Sequence, residues 1–102
     1  MPTLRVLTLN IWNVSEPCDA RMAMIRVGIA ALQPDLIGFQ EVVVRRDGFD
    51  QAAIMLDGLG YEHHHAPAYR WAESGRVPLD AAGDSFGNVI ASRWPIVAHE
   101  RL

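Results

Sequence analysis

Apolar and polar positions divide the first 44 residues into two short apolar runs with a longer amphipathic segment between them. The runs at 4–9 and 35–41 are rich in Leu, Ile and Val and are bounded by polar residues or Pro. Runs of this length are typical of strands buried on both faces. Between them, four apolar residues recur at helical spacing: Met22, Ile25, Ile29 and Leu32. This spacing predicts a helix that begins near 15–17 and ends at about Gln33, before Pro34.

Each apolar run is followed by, or ends in, a residue with a side-chain oxygen, Asn10 in the first and Glu41 in the second. A strand–helix–strand unit is parallel and almost always right-handed, so neighbouring strands end at the same sheet edge. Ligands bind at that edge in open α/β sheets. An amide oxygen beside a carboxylate suits Mg²⁺ or Mn²⁺. Alternatively, Glu41 is only the first solvated residue after a buried strand.

The second half of the chain predicts further elements of an α/β fold. A second helix is expected over 49–57 and a third strand over 61–66, followed by a long connection over 67–86 that is rich in Ala, Gly, Pro and Asp. Such connections are often functional or mobile. A fourth strand is expected over 87–92. A fifth, over 96–102, would pair antiparallel with the fourth.

The third strand contains consecutive histidines, His63, His64 and His65. Strand alternation places His63 and His65 on one face and His64 on the other. Because no Cys or second His group stands at zinc spacing, a partly polar strand is favoured over a metal site.

Composition places few restrictions on function. The 102 residues are enough for one domain, and half of them are apolar. The net charge is −3 with nine arginines and no Lys, so no basic run indicates tight nucleic-acid binding. The single Cys18 permits no internal disulfide. Since we see no signal peptide and no membrane-spanning run, we predict a cytoplasmic protein.

Three phrases carry a resemblance to a known family: T-L-N-I-W-N at 8–13, P-D-L-I-G-F-Q-E-V at 34–42 and G-N-V-I-A-S-R-W-P-I at 87–96. Together they resemble the amino-terminal half of the endonuclease/exonuclease/phosphatase superfamily, whose best-known fold is that of deoxyribonuclease I. The resemblance implies a four-layer α/β sandwich, with a mixed sheet and flanking helices. It also implies that Asn10 and Glu41 match the metal-binding Asn and Glu.

The same resemblance implies that most of the catalytic machinery is absent from this chain. The family's later His, its Asp-x-Asn pair and its final Asp-His pair have no counterpart here. Residues 1–102 would therefore be the amino-terminal part of a single domain, truncated at the carboxyl end, with the carboxyl-terminal half as a missing partner. We expect no complete set of catalytic residues and an inactive chain by itself.

The implied activity of the whole protein is Mg²⁺- or Mn²⁺-dependent hydrolysis of a phosphoester. The substrate would be a nucleic acid, a phospholipid or an inositol phosphate. A different class of function is also open, a non-catalytic module of the same fold that binds a phosphorylated ligand or a protein.

Two further residues are candidates for substrate contact, Arg45 and Asn88. Several nucleases of the family carry a basic residue two positions after the metal-binding Glu, where this chain has Val43. Arg45 would have to replace that residue as a phosphate clamp, and the simpler interpretation is that it is a solvated surface arginine. Asn88 is polar at the start of an apolar strand, where it either caps the strand or lies near the metal edge.

Overall fold

A mixed sheet of five strands carries two helices against one of its faces in the computed structural model, which describes residues 3–79 and 83–100. The elements in chain order are β1 (Val6–Asn10), α1 (Cys18–Leu32), β2 (Leu36–Val44), α2 (Gln51–Leu56), β3 (Glu62–Ala72), β4 (Gly75–Val77) and β5 (Asp84–Ser92). The spatial order is β1-β2-β5-β3-β4, with β1 and β2 parallel and the other pairs antiparallel. This architecture confirms the predicted α/β class with a mixed sheet and flanking helices.

The core lies between the helices and one face of the sheet. In β1, Leu7 and Leu9 pack towards this core, whereas the alternate positions of the strand are exposed. The period of two along a strand and of 3.6 along a helix places these apolar residues on facing surfaces. Buried residues from both helices and from the central strands complete the core: Met22, Ile29, Ile37, Phe39, Ala52, Met55, Val89 and Ala91.

Strand β2 continues past the residue at which the sequence predicted its end. It runs to Val44, and the pairing with β5 shifts register between Phe39 and Val42, which marks a bulge at Gln40 and Glu41. The prediction that Glu41 ends the strand was therefore wrong. Three valines after the bulge resume the ladder with β5, because their apolar side chains can still be buried beyond the extra residue.

The prediction of a long connection over 67–86 was also wrong. Most of this segment is sheet, formed by the second part of β3, by β4 and by the start of β5, while 80–82 lie outside the described residues. Pro67 was predicted to begin that connection, yet it is paired with Gly87 across β3 and β5. A Cβ atom at Gly87 would overlap the Ala66 carbonyl, so the glycine is required for the close approach of these two backbones.

The fifth strand predicted over 96–102 is absent from 96–100, and 101–102 lie outside the described residues. The expected partner of that strand, β5, already has β2 on one side and β3 on the other. With both of its edges hydrogen-bonded, β5 cannot accept another strand. Residues 96–100 instead run beside β3, where the Ile96 N–H donates to Glu62 Oε2 at 2.8 Å.

Within 3–79 and 83–100, neither helix is long and apolar enough to cross a membrane.

Candidate functional site

The parallel pair β1 and β2 brings the two predicted metal ligands to one sheet edge. Asn10 is paired with Gln40, the residue immediately before Glu41. Beyond the strand, the Ile11 N–H donates to the Gln40 carbonyl at 3.0 Å and the Asn13 N–H donates to the Glu41 carbonyl at 3.1 Å. Asn10 and Glu41 therefore lie next to each other where the pairing of these two parallel strands ends, as the strand–helix–strand unit predicted, and their binding of a metal stays a prediction.

The loop after β1 fixes the side chain of Asn10. Its Oδ1 accepts a hydrogen bond from the Trp12 N–H at 2.8 Å, a local turn that Asn favours. Trp12 and Asn13 both have positive φ, 61° and 43°, so the chain bends sharply as it leaves the strand. Asn10 itself is exposed, and its amide oxygen retains a second lone pair.

The bulge in β2 determines how Glu41 is presented. Glu41 has a φ of 57°, in the left-handed region that non-glycine residues seldom adopt. Bulges commonly redirect a side chain beside a functional site. Here the residue is exposed, between the half-buried Gln40 and the buried Val42, and its Oε1 lies 3.4 Å from Nδ2 of Asn13.

Two side chains that the sequence did not single out as site residues, one from each helix, bind backbone carbonyls of the loop. Arg21 of α1 donates to the Ile11 carbonyl at 2.8 Å and to the Asn13 carbonyl at 3.0 Å. Gln51 of α2 is completely buried and donates to the same Asn13 carbonyl at 2.7 Å. A buried Gln has no signature in a single sequence, because only the folded chain shows which backbone groups it satisfies.

The chemistry of Asn10 and Glu41 fits a hard divalent cation. One neutral and one anionic oxygen donor, both at exposed residues, match the preference of Mg²⁺ for a carboxylate or two with the remaining positions left to water and phosphate. Across the described parts of the chain, no three His, Cys, Asp or Glu side chains cluster to form a metal site. The candidate metal site of this chain therefore consists of the Asn10 and Glu41 pair.

The two candidate substrate residues lie in different settings. Asn88 is exposed on β5, between the positions that pair with Phe39 and Val42, so it is opposite the bulge that carries Glu41. Arg45, beyond the end of β2, lies 3.8 Å from a carboxylate oxygen of Asp84. Its guanidinium also stacks on the Phe49 ring, with 4.7 Å to the ring centroid. The structure thus places Asn88 opposite the bulge and gives Arg45 local partners, and contact of either residue with a substrate stays a prediction.

The position two residues after Glu41 is buried. Val43 is 1% exposed and its N–H donates to Gln51 Oε1 at 2.8 Å. Several nucleases of the family have a basic residue at this position. In this chain the position is in the interior, where an apolar Val fits.

The three histidines alternate as predicted. His63 Nε2 lies 3.8 Å from Asp50 Oδ2, at the start of α2, and His65 Nε2 lies 3.1 Å from the Ser85 hydroxyl. His64 stacks on His99 with 3.5 Å between ring centroids. Burial lowers the pKa of His65 below its usual 6.5, since the charged ring loses hydration.

Comparisons with known proteins agree on one family. A profile of the Endonuclease/Exonuclease/phosphatase family matches residues 7–102. A search of curated proteins found no match.

Three solved structures resemble the fold. An endonuclease/exonuclease/phosphatase family protein from Leptotrichia buccalis C-1013-b superposes with a TM-score of 0.71 at 18% identity, over 94% of this chain and 40% of that chain. An endonuclease/exonuclease/phosphatase from Beutenbergia cavernae DSM 12333 gives 0.64 at 29% identity, over 94% and 27%. An AP endonuclease from Archaeoglobus fulgidus gives 0.55 at 19% identity, over 89% and 28%. This chain thus spans only 27 to 40% of the length of these proteins.

Proposed function

Because this chain belongs to the endonuclease/exonuclease/phosphatase family, we propose that it is the amino-terminal part of a metal-dependent phosphoester hydrolase. The observation that carries the proposal is the pairing of Asn10 with Gln40, the residue before Glu41, where the parallel pairing of β1 and β2 ends. The family contains nucleases and phosphatases. Binding of a metal ion by this chain is our proposal.

In this proposal Asn10 and Glu41 would hold Mg²⁺, or Mn²⁺ in its place. When bound, the cation would supply positive charge against a phosphoryl oxygen and the charge that develops there. Glu41 contributes the negative charge that attracts the cation, and Asn10 contributes a neutral oxygen whose direction is set by the Trp12 N–H. The remaining positions around the cation would be taken by water and by the phosphoester substrate.

We propose that the substrate phosphate lies over the exposed side of this edge, between Glu41 and β5. Asn88 is the residue of β5 placed opposite the bulge, and its amide can donate to a phosphate oxygen. Arg45 could reach the same phosphate only by leaving Asp84, from which it stands at 3.8 Å. A nucleic acid, a phospholipid and an inositol phosphate all present the phosphoester that this arrangement would bind.

The test compares Glu41→Gln with Glu73→Gln in the full-length protein that contains this chain. Glu73 is an exposed carboxylate in the β3–β4 turn, so it controls for the loss of one negative charge. Glu41→Gln should lower hydrolysis of bis(p-nitrophenyl) phosphate at limiting Mg²⁺ by more than the roughly 10- to 100-fold expected for an outer-shell partner. Glu73→Gln should retain wild-type hydrolysis.

The fold should be unchanged in Glu41→Gln, because the side chain is exposed and packs in no core. A Glu41→Gln protein that hydrolyses the substrate as fast as wild type at limiting Mg²⁺ would contradict the proposed metal site.

A further inference from the structure

We propose that Asn13 is a positioning residue of the candidate site and that it orients the Glu41 carboxylate from the loop after β1. The inference rests on the proposed function and adds a residue to it. The Asn13 backbone N–H donates to the Glu41 carbonyl at 3.1 Å, and its side-chain Nδ2 lies 3.4 Å from Glu41 Oε1. One residue thus contacts both the main chain and the carboxylate of the candidate ligand.

The orientation of the Asn13 amide follows from its other partner. Ser15 approaches Asn13 Oδ1 with its backbone N–H at 2.9 Å and with its hydroxyl at 3.0 Å. A backbone N–H can only donate, so the amide atom that faces Ser15 has to be the oxygen. The NH₂ group is therefore directed towards Glu41. A donor to a carboxylate is charge-assisted, and such outer-shell donors fix the direction of a ligand oxygen.

The backbone of Asn13 is held in a conformation that few residues accept. Its φ of 43° is in the left-handed region, where Asn is tolerated better than most side chains. Its carbonyl accepts from Gln51 Nε2 at 2.7 Å and from Arg21 Nη2 at 3.0 Å. One donor comes from each helix, so Asn13 is fixed to the rest of the fold by its carbonyl.

Gln51 also connects the loop to the strand beyond the bulge. Its Oε1 accepts from the Val43 N–H at 2.8 Å while its Nε2 donates to Asn13. The side chain is 0% exposed, so water cannot replace either contact. The same amide therefore connects the loop after β1 to the strand just beyond the exposed Glu41.

Arg21 binds the same loop through three successive backbone carbonyls. Its guanidinium donates to the carbonyls of Ile11, Trp12 and Asn13 at 2.8, 3.2 and 3.0 Å. Binding three successive carbonyls requires the planar fork of Arg, with several donors in fixed directions, which the single ammonium of Lys lacks. The expected effect of this arrangement is on metal affinity, because it sets the direction of a ligand and leaves the reacting groups untouched.

The decisive variant is Asn13→Gly in the full-length protein. Gly accepts a φ of 43° without strain and keeps the carbonyl that Arg21 and Gln51 bind, so the variant removes only the amide side chain. We expect the Mg²⁺ concentration for half-maximal hydrolysis of bis(p-nitrophenyl) phosphate to rise about 10-fold. Direct binding of Mn²⁺, measured by electron paramagnetic resonance, should weaken by the same factor. Turnover at saturating Mg²⁺ should stay close to wild type.

A second pair of variants tests the support of Asn13 and decides the matter if Asn13→Gly does not fold. Arg21→Lys should weaken Mn²⁺ binding, whereas Arg26→Lys on the same helix should not, because the Arg26 guanidinium contacts the Ile54 carbonyl of α2, at 3.5 Å, and among the described residues it binds no carbonyl of the loop after β1. Thermal melts of all variants verify that each protein is folded.

Different results would overturn the proposed function and the role of Asn13. A wild-type protein that binds no Mn²⁺ and hydrolyses no phosphoester would overturn the proposed function. A wild type that does both, with unchanged Mn²⁺ affinity in Asn13→Gly or in Arg21→Lys, would overturn the role of Asn13 alone.

Discussion

At the scale of residues, the backbone around Asn10 and Glu41 determines how their side chains are exposed and oriented. Glu41 is exposed because it occupies the bulge, with a φ of 57°, and Asn10 is oriented because its Oδ1 accepts the Trp12 N–H. Neither feature depends on a rare residue type. Without the bulge, the Glu41 side chain would have followed the regular alternation of β2 and pointed to one face of the sheet.

His65 shows the same dependence on surroundings for a titratable group. The Ser85 hydroxyl contacts the Val44 carbonyl at 3.3 Å and His65 Nε2 at 3.1 Å. If the hydroxyl donates to the carbonyl, its oxygen accepts from Nε2–H and Nδ1 carries no proton. Within the described residues, that Nδ1 is the single buried side-chain polar atom without a hydrogen-bond partner. Protonating it would place an unsatisfied donor in the interior.

We predict that His65 makes the stability of the protein fall at mildly acidic pH. Burial is the largest cause of its lowered pKa, with Asp50 acting in the opposite direction and with His64, His63 and Arg70 lowering it further. Below the ordinary pKa of 6.5 the unfolded chain gains a proton that the folded chain does not, so the free energy of unfolding decreases. The decrease ends once pH has passed the lower pKa of the folded state.

Urea denaturation at a series of pH values measures this effect. His65→Gln, which is neutral throughout, should show a smaller decrease in the free energy of unfolding below pH 6.5 than wild type. Equal decreases in the two proteins would exclude His65 as the source.

At the scale of elements, close contact between β3 and β5 determines the position of Asn88. Pro67 is paired with Gly87, and Ala66 with Asn88, so the two strands are in register up to the residue opposite the bulge. Pro in a strand removes one ladder donor, and the absence of a side chain on Gly87 lets the neighbouring backbone approach.

Gly87→Ala tests this contact, and Gly28→Ala serves as its control. The two substitutions should change the free energy of unfolding in opposite directions. Gly87→Ala should lower the free energy of unfolding by about 1–3 kcal/mol, because its Cβ would overlap the Ala66 carbonyl. Gly28→Ala, inside α1 and with no atom beyond its chain neighbours and the helix's own backbone within 4 Å of the added Cβ, should raise it. The gain should be about 0.5–1 kcal/mol, the usual helical difference between Gly and Ala. Chemical denaturation of both variants measures the two changes, and a neutral Gly87→Ala would contradict the packing argument.

At the scale of the whole molecule, one face of the sheet carries the helices and the other carries apolar residues that are exposed. Val6 of β1 is 65% exposed and Ile90 of β5 is 57% exposed, on the face opposite the helical core. A sheet in a sandwich buries such a face against a second sheet. Together with the coverage of 27 to 40% of the solved relatives, this observation supports the proposal that 1–102 is part of a larger domain.

The isolated 102-residue polypeptide is expected to be catalytically inert and poorly stable. Two protein ligands alone should hold Mg²⁺ weakly, and the uncovered sheet face is an aggregation risk. A phosphodiesterase assay and a thermal melt of the purified chain check both points. Robust metal-dependent turnover with a cooperative melt of a monomer would contradict the expectation.

Ile90→Thr provides a further test, because it should be unfavourable in the full-length protein and favourable in the isolated chain. In the full-length protein the substitution should cost about 2 kcal/mol if the face is buried, whereas in the isolated chain it should improve solubility. Val27→Thr, at a residue 70% exposed on α1, should have little effect in either protein.

The sequence by itself determined the strand–helix–strand unit and the meeting of Asn10 with Glu41. Both follow from local signals: apolar runs bounded by polar residues, a helical repeat, and the near-invariant handedness of the crossover. The family was also readable from the three phrases that carry its motifs. None of these inferences needed knowledge of how the other strands and side chains pack around this unit.

Only the tertiary structure decided the bulge at Glu41, the strands in 67–72, 75–77 and 84–86, and the central place of β5. It also decided the part played by Asn13, whose carbonyl is shared by Arg21 and Gln51. These features depend on which strand edges remain open and which buried backbone groups require a partner. Such requirements arise between segments far apart in the sequence, so hydrophobic periodicity along the chain does not encode them.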